Sequence, residues 1–233
     1  MDKNLDSYLS SYSSFNDWLI NRRYLYLKQF FKGNSCLELG IAEGTGVSYL
    51  LDAFDEVTVV DGSQKAIASI KKQFPTPKLN AVNAYFEKMK LGEKKFDTII
   101  MAHILEHVDD PVGILVKIQS YMHKDSVVII DVPNGNSLHR QIGVKMGLLK
   151  EKTDLNSADR SIGHKRVYTP ETFKKDIEKA GLKINKSGGM FTKVLSNAQM
   201  ETSFNESQRE ALFEVGLDNP EIAAEIFIVA ESD

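Results

Sequence analysis

Short apolar runs alternate along the chain with amphipathic segments, the pattern of strands and helices that follow one another. Seven apolar or β-branched runs predict strands, at residues 35–39, 57–60, 78–82, 96–102, 126–132, 182–187 and 223–230. Amphipathic spacing and cap residues predict helices between them, at 16–31, 46–54, 63–73, 111–122 and 170–180. Because several strands are apolar throughout, we expect an α/β fold whose mostly parallel sheet is covered by helices on both faces.

Two segments stand apart from this alternation. Residues 134–168 are long, polar in their second half, and follow the carboxyl end of a predicted strand. Open α/β sheets bind ligands at that end, so we interpret 134–168 as a substrate-side insertion. The aromatic-rich residues 1–32 form the other segment, in which we expect 18–31 to pack on the sheet and 1–15 to form a mobile lid.

Composition narrows the class of partner. The 233 residues suit one well-buried domain, and the net charge of −3, with no basic block, makes a nucleic acid a poor partner. The single cysteine, Cys36, lies in a strand pattern and fits a reducing compartment. We find no signal peptide, and no stretch approaches the roughly 20 apolar residues that a membrane helix needs. We therefore expect a cytoplasmic protein without a membrane span.

A glycine-rich turn follows the first strand in CLELGIAEGTG, residues 36–46. A strand that leads through glycines into a helix brings backbone N–H groups close to a ligand, which indicates a nucleotide-like cofactor. The dinucleotide fingerprint GxGxxG fits poorly, because Tyr49 occupies the third glycine position. The spacing of Gly40, Gly44 and Gly46 also occurs in short-chain dehydrogenases. Those enzymes use a YxxxK pair. The one such pair in this chain, at residues 24–28, lies before the loop and on the wrong element, which counts against this class.

Three motifs in order resemble those of class I S-adenosylmethionine-dependent methyltransferases. LELGIAEGTG resembles the E/DxGxGxG loop, and VTVVD ends in an acidic residue, Asp61, after the second strand. FDTIIMAHILEHVDDP resembles a subgroup with LEHVxDP, which includes small-molecule and quinone O-methyltransferases. IDVPN at 130–134 and GHKRVYTPETF at 163–173 are similar to the same subgroup. The resemblance covers roughly residues 33–190 and the final strand.

The resemblance implies a Rossmann-like seven-stranded sheet that binds S-adenosyl-L-methionine. Asp61 would hold the ribose hydroxyls, and Asn83 would either face the adenine or be an ordinary turn residue. Ala42 stands where the family usually has glycine. The full expected cofactor site is Glu38, Gly40, Ala42, Gly44, Asp61, Gly62, Asn83, Ala84, Ala102 and His103.

The candidates for the base that a hydroxyl or protonated amine acceptor needs are His103, His107, His139 and His164, and we select two of them. The first is His107, beside the expected methyl-transfer site, and the second is His164, within the insertion. His164, Arg166 and Tyr168 alternate, so in an extended segment they would share one face and grip an acidic or polyhydroxylated acceptor. The alternative is a structural tie between insertion and sheet. For residues 139–140 the alternatives are substrate contact and a solvated helix face.

The stretch HILEH places His103, Glu106 and His107 at i, i+3 and i+4, on one face if the stretch is helical. Some quinone O-methyltransferases that the chain resembles have Glu-x-x-Glu-His here and bind a divalent metal with it. Three ligands from one helical turn rarely enclose a metal unaided, so we predict that none is bound.

We interpret the chain as an N-terminal lid and helix, 1–32, followed by a methyltransferase domain, 33–233. It would transfer a methyl group from S-adenosylmethionine to a small-molecule acceptor. Oxygen is the preferred acceptor atom, and nitrogen is the second choice. The alternatives are a protein or RNA methyltransferase, a non-catalytic nucleotide-binding module and a short-chain oxidoreductase.

Overall fold

A single mixed sheet of seven strands organises the computed structural model, which describes residues 12–232. The strands are β1 (Ser35–Leu39), β2 (Glu56–Asp61), β3 (Leu79–Asn83), β4 (Phe96–Ala102), β5 (Met122–Pro133), β6 (Leu182–Met190) and β7 (Glu225–Ser232). The helices are α1 (Ser14–Leu27), α2 (Thr45–Ala53), α3 (Gln64–Gln73), α4 (Pro111–Gln119), α5 (Leu138–Lys145), α6 (Ser157–Ser161), α7 (Pro170–Lys179), α8 (Asn197–Ser203) and α9 (Glu206–Asp218). None of the described helices is long and apolar enough to cross a membrane.

The sheet has the order β3-β2-β1-β4-β5-β7-β6, in which β7 runs antiparallel to both of its neighbours. The chain winds outward from β1 to β3 and then returns to the other side of β1 with β4. Parallel strands wound in this way leave a crevice at their carboxyl ends where the direction reverses, between β1 and β4. The expectation of a mostly parallel, Rossmann-like seven-stranded sheet is confirmed.

The alternation of side chains along the central strands builds a core on each face of the sheet. Leu37 of β1 and Met101 of β4 belong to the apolar cluster that contains Leu115 of α4. Cys36 of β1 belongs to a second cluster, with Leu50 of α2. Successive strand residues point to opposite faces, so strands that are apolar throughout are buried from both sides.

Helix α1 packs into a third cluster, in which its residues Phe15 and Leu19 join Phe191 and Phe213. The packing predicted for 18–31 is therefore present, although α1 ends at Leu27 and a 3-10 turn follows. Within α1, Leu25 is 51% exposed, whereas Arg23 and Tyr24 are buried. The polar tips of those two side chains find carboxylate partners inside the fold. The predicted lid falls mainly on residues 1–11, outside the described residues.

Two other elements differ from the sequence pattern. Met122, predicted to end α4, instead begins β5, because its backbone pairs with Phe96 of β4. Residues 191–224, to which the pattern assigned no helix, contain α8 and α9. The insertion is confirmed as a break in the alternation, and it folds into α5, α6 and the loops around them.

Candidate active site

The glycine loop between β1 and α2 contains three residues with left-handed backbone. Gly40 and Gly44 have φ angles of 76° and 83°, and Ala42 has a φ angle of 42°. A side chain on Gly40 would also place its Cβ 2.3 Å from Cδ1 of Ile104, so Ile104 would have to move to admit one. Ala42 is exposed and meets no such limit, but left-handed backbone costs a non-glycine residue about 1–2 kcal/mol.

Asp61, the last residue of β2, braces the loop from the side. Its Oδ2 accepts a hydrogen bond from the backbone N–H of Ile41 at 3.0 Å, and its Oδ1 accepts one from Ser63 N–H at 2.7 Å. Ser63 in turn caps α3 by accepting from the N–H of Ala66. Gly62 lies half-buried between these two residues. The carboxylate predicted to bind ribose is therefore held beside the glycine loop.

The end of β3 is tied to the end of β2. The amide nitrogen of Asn83 donates to the carbonyl of Asp61 at 2.9 Å, and Ala84 N–H donates to the same oxygen at 3.0 Å. Asn83 is exposed and its amide nitrogen is engaged with backbone. A contact of its side chain with adenine stays a prediction.

Glu38 lies at the carboxyl end of β1 and is 1% exposed. Its Oε1 accepts a hydrogen bond from the hydroxyl of Tyr24, while its Oε2 has no hydrogen-bond partner among residues 12–232. Burial raises the pKa of Glu38 to about 7; the Tyr24 hydrogen bond lowers it and Asp61 raises it further. Tyr24 also explains the third glycine, because a Cβ on Gly46 would lie 2.3 Å from its ring.

A buried cluster of charges fills the carboxyl ends of β4 and β5 and the start of β7. The guanidinium of Arg23 donates to both carboxylate oxygens of Glu225, at 2.6 and 3.1 Å, and lies 3.2 Å from Asp131. His103, the residue after Ala102 at the end of β4, contacts Arg23, Asp131 and Glu225 through Nε2, at 2.9 to 3.3 Å. Of this cluster, sequence reasoning selected only His103 as a site residue, because the members lie far apart along the chain.

The cluster makes His103 a poor base. Burial and Arg23 would lower the pKa of His103, but Glu225 and Glu106 raise it, and the net shift is upward. Burial raises the pKa of Asp131 to about 6, although Arg23 and His103 act to lower it. Burial would also raise the pKa of Glu225, yet Arg23 and His103 hold it below its usual range. His103 therefore favours the protonated form.

The stretch HILEH is a turn, not a helix. His103 has a φ angle of 54°, which is incompatible with a right-handed helix, and His107 N–H closes the turn on the carbonyl of Ile104 at 3.0 Å. The condition under which the three residues would share one helical face is therefore not met. The turn still brings His103 Nδ1 to 3.4 Å from Glu106 Oε1.

The insertion places His164 against this turn. The imidazole rings of His107 and His164 meet edge to face, with centroids 4.7 Å apart. His164 Nδ1 lies 3.2 Å from Asp159, which orients the ring, and its Nε2 lies 3.9 Å from Glu106. Burial lowers the pKa of His107, with Glu106 acting to raise it. The two histidines chosen from the sequence are therefore neighbours.

Glu106, His107 and His164 have the chemistry of a cation site. One ligand atom from each lies within 4.8 Å of the others. Both carboxylate oxygens of Glu106 are buried without a hydrogen-bond partner among the described residues. The set differs from the one considered in the sequence, since His164 of the insertion stands in place of His103. A nitrogen-rich set of this kind would suit zinc better than magnesium.

Arg166 and Tyr168 serve the fold. Arg166 donates to the backbone carbonyls of Leu105, Val108 and Asp109, and so holds the HILEH turn. Tyr168 is 2% exposed and donates to Asp176. With His164 directed to Asp159 and Glu106, the three side chains do not form one face toward a ligand. The contacts favour the structural tie.

Arg140 likewise stabilises the insertion. It donates to the carbonyls of Lys152 and Asp154 and forms an ion pair with Asp159 at 3.2 Å. It is 6% exposed, so the expectation of a solvated helix face is wrong for this residue. His139, beside it, is half-buried, and burial lowers its pKa to about 3.

Comparison with known proteins gives one family. A sequence profile described as "Methyltransferase domain" matches residues 12–187. No curated protein matches the chain.

Among solved structures, an S-adenosylmethionine-dependent methyltransferase of Mesorhizobium loti superposes with a TM-score of 0.66 at 17% identity, covering 89% of this chain and 96% of that one. One from Archaeoglobus fulgidus gives 0.60 at 21% identity, covering 91% and 94%. The N-methyltransferase NodS of Bradyrhizobium japonicum, in complex with S-adenosylhomocysteine, gives 0.59 at 12% identity, covering 95% and 89%. All three share the fold.

Proposed function

The chain belongs to the methyltransferase domain family and is an S-adenosylmethionine-dependent enzyme, and from this premise we propose that it methylates a small molecule, on oxygen first and nitrogen second. We assign it to the LEHVxDP subgroup, on the stretch LEHVDDP at 105–111. The observation that carries the proposal is the pair of contacting histidines at the carboxyl end of β4, His107 and His164, beside the crevice of the sheet.

The residues of the crevice fit the cofactor. Glu38 offers a buried carboxylate oxygen without a partner among the described residues, the group that a cationic amine needs. Asp61 presents a carboxylate beside the glycine loop, which suits ribose hydroxyls. Around them we place Gly40, Ala42, Gly44, Gly62, Asn83, Ala84, Ala102 and His103 as the rest of the cofactor site. The cofactor supplies a methyl group already activated on a sulfonium.

The protein's task is to align the acceptor and to remove its proton. His107 suits the second part, because burial lowers its pKa and keeps the ring neutral at pH 7. A neutral imidazole accepts the hydroxyl proton as the oxygen takes the methyl group. His164 adjoins it and is held by Asp159, so we assign it to the acceptor side.

A small acceptor fits the enclosure of this site. The side chain of His164 is 7% exposed and that of Glu106 is 1% exposed, under the cover of the insertion. The net charge of −3 counts against RNA as the acceptor. A protein substrate is the alternative that remains, and it would have to insert a side chain beneath the insertion.

The test compares His107→Gln with His123→Gln as a matched control. His123 lies at the amino end of β5, where its ring contacts Asp97 of β4. Formation of S-adenosylhomocysteine is measured with a low-mass cell extract as the source of acceptor. We expect His107→Gln to reduce turnover about 100-fold, the scale of losing a general base, with cofactor affinity unchanged. At saturating S-adenosylmethionine, the wild-type rate should fall only below pH 6.5, the ordinary histidine pKa, because the pKa of His107 is lowered from that value. Full activity of His107→Gln would overturn its role.

A further inference from the structure

Glu38 is a buried carboxyl group with only one of its two oxygens satisfied. The hydroxyl of Tyr24 donates to Oε1, and Oε2 is buried without a partner among residues 12–232. Leaving a buried polar atom unpaired costs free energy, and such atoms are rare in folded proteins. The unpaired oxygen lies next to the glycine loop, so a bound ligand is the group that would satisfy it.

The position of Glu38 indicates which part of the cofactor it meets. Its neighbours in the sheet are Val59 of β2 and Ile100 of β4, at the point where the winding reverses. Asp61, on the β2 side, is the proposed partner of the ribose. The amino-acid end of the cofactor then points toward β1 and β4, and it carries an ammonium group, the natural partner of a carboxylate. This step rests on the proposed function.

We propose that Tyr24 is a positioning residue of the cofactor site: its hydroxyl holds the Glu38 carboxylate so that Oε2 receives the cofactor's ammonium group. Tyr24 is itself held firmly. It is 4% exposed, it lies over Gly46, and its ring stacks on Tyr49 with centroids 5.9 Å apart. Burial raises its pKa, so the phenol keeps its proton and donates it.

The arrangement links cofactor binding to the release of a proton from Glu38. The groups that act on Glu38 are Tyr24 from α1 and Asp61 from β2. On its own strand, burial and Glu38 raise the pKa of the Cys36 thiol. Arg23, next to Tyr24 on α1, is paired with Glu225. With its pKa raised to about 7 by burial, Glu38 is partly protonated at neutral pH. An ammonium group binds the ionised form, so cofactor binding releases a proton and tightens as pH rises through about 7.

The test is calorimetric titration with S-adenosylhomocysteine, which carries the same amino-acid group, from pH 6 to 8.5. Tyr24→Phe removes the hydroxyl and keeps the ring. We expect a roughly tenfold loss of affinity at pH 7, the scale of a hydrogen bond to a charged group. Since Tyr24 lowers the pKa of Glu38, its loss should also move the midpoint of the pH dependence upward.

Tyr49→Phe is the matched control. In the wild type, the Tyr49 hydroxyl joins α2 to α1 by donating to Asn21 at 3.0 Å, and it makes no hydrogen bond to Glu38. We expect neither the affinity nor the midpoint to change in this variant. A second probe, 5′-methylthioadenosine, lacks the amino-acid group, and its affinity should be the same in wild type and Tyr24→Phe.

Two results would overturn the inference: an unchanged midpoint in Tyr24→Phe, or an equal loss of affinity for both probes, which would indicate only a structural role. Glu38→Gln separates this failure from failure of the proposed cofactor site. If that variant binds S-adenosylhomocysteine as tightly as wild type, Glu38 is not the ligand and both proposals fail. If it binds weakly and without pH dependence while Tyr24→Phe behaves as wild type, only the role of Tyr24 fails.

Discussion

Asp61 has two functions in this account, since its carboxylate braces the glycine loop and is the proposed partner of the ribose. Asp61→Ala should weaken binding of S-adenosylmethionine by about 1.5–3 kcal/mol, the cost of losing hydrogen bonds to a charged group. Titration calorimetry measures this, and a thermal melt of the free protein reports the part due to the loop. Affinity within twofold of wild type in a folded protein would remove Asp61 from the ribose site.

Ala42 is the residue of the loop whose backbone conformation suits glycine better. Its left-handed φ of 42° costs an alanine about 1–2 kcal/mol, part of which glycine recovers despite its greater freedom in the unfolded chain. Ala42→Gly should therefore raise the free energy of unfolding by about 0.5–1 kcal/mol in urea denaturation. Ala53→Gly in α2 has the opposite expectation, since glycine destabilises a helix. A destabilised Ala42→Gly would contradict the argument from strain.

At the scale of single residues, the sequence predicts a proposed site residue where a local motif contains it. It misses a residue whose role depends on contacts with distant parts of the chain. Glu38, Asp61 and His107 stand in local motifs that name their roles. Arg23 and Tyr24 do not, because they act through contacts with residues up to 202 positions away, and no local pattern records such contacts.

Among the elements, the HILEH turn and the two residues after it depend on Arg166 of the insertion, which donates to the carbonyls of Leu105, Val108 and Asp109. Lysine lacks the planar guanidinium of arginine and cannot donate to the same three acceptors. Arg166→Lys should therefore lower the free energy of unfolding by about 1–3 kcal/mol. Turnover should fall as well, because His107 lies in that turn. Arg160→Lys, an exposed position of α6, is the control. Equal stability of the two variants would show that the turn does not need Arg166.

His107, in the same turn, has two candidate roles, as a base and as a metal ligand. A cation on Glu106, His107 and His164 would occupy the ring nitrogen that His107 needs as a base, so the two roles exclude each other. With the base role, EDTA treatment followed by dialysis should leave turnover unchanged, and metal analysis should find less than 0.1 equivalent, roughly the background of such measurements. Loss of activity that zinc restores would contradict the base role.

Strands were easier to predict than the elements around them. The bounds of β1 and β4 match the predicted runs residue for residue, because most of their residues are apolar and buried. Helices α8 and α9 were missed, since few of their residues are buried: Met200 in α8, and Phe213 and Gly216 in α9. The spacing in HILEH left its structure open, because i, i+3 spacing occurs in turns as well as in helices.

Across the whole molecule, α1 joins the two halves of the crevice. Its adjacent residues Arg23 and Tyr24 reach opposite sides, the charged cluster beside β5 and β7 and the glycine loop after β1. The glycine-loop side and the charged cluster around His103 therefore share one helix, which lies before the methyltransferase domain in the predicted division at residues 32 and 33. That division stays a prediction, although α1 and the sheet share a core.

The destination of the methyl group tests the central claim most directly. The protein is incubated with S-adenosylmethionine labelled in its methyl group and a whole-cell extract, which is then separated into low-mass, protein and RNA fractions. We predict that the label enters the low-mass fraction as a base-stable methyl ether, and that His107→Gln abolishes most of this transfer while His123→Gln does not. Label that enters only protein or RNA, or transfer that is equal in all three enzymes, would contradict the account.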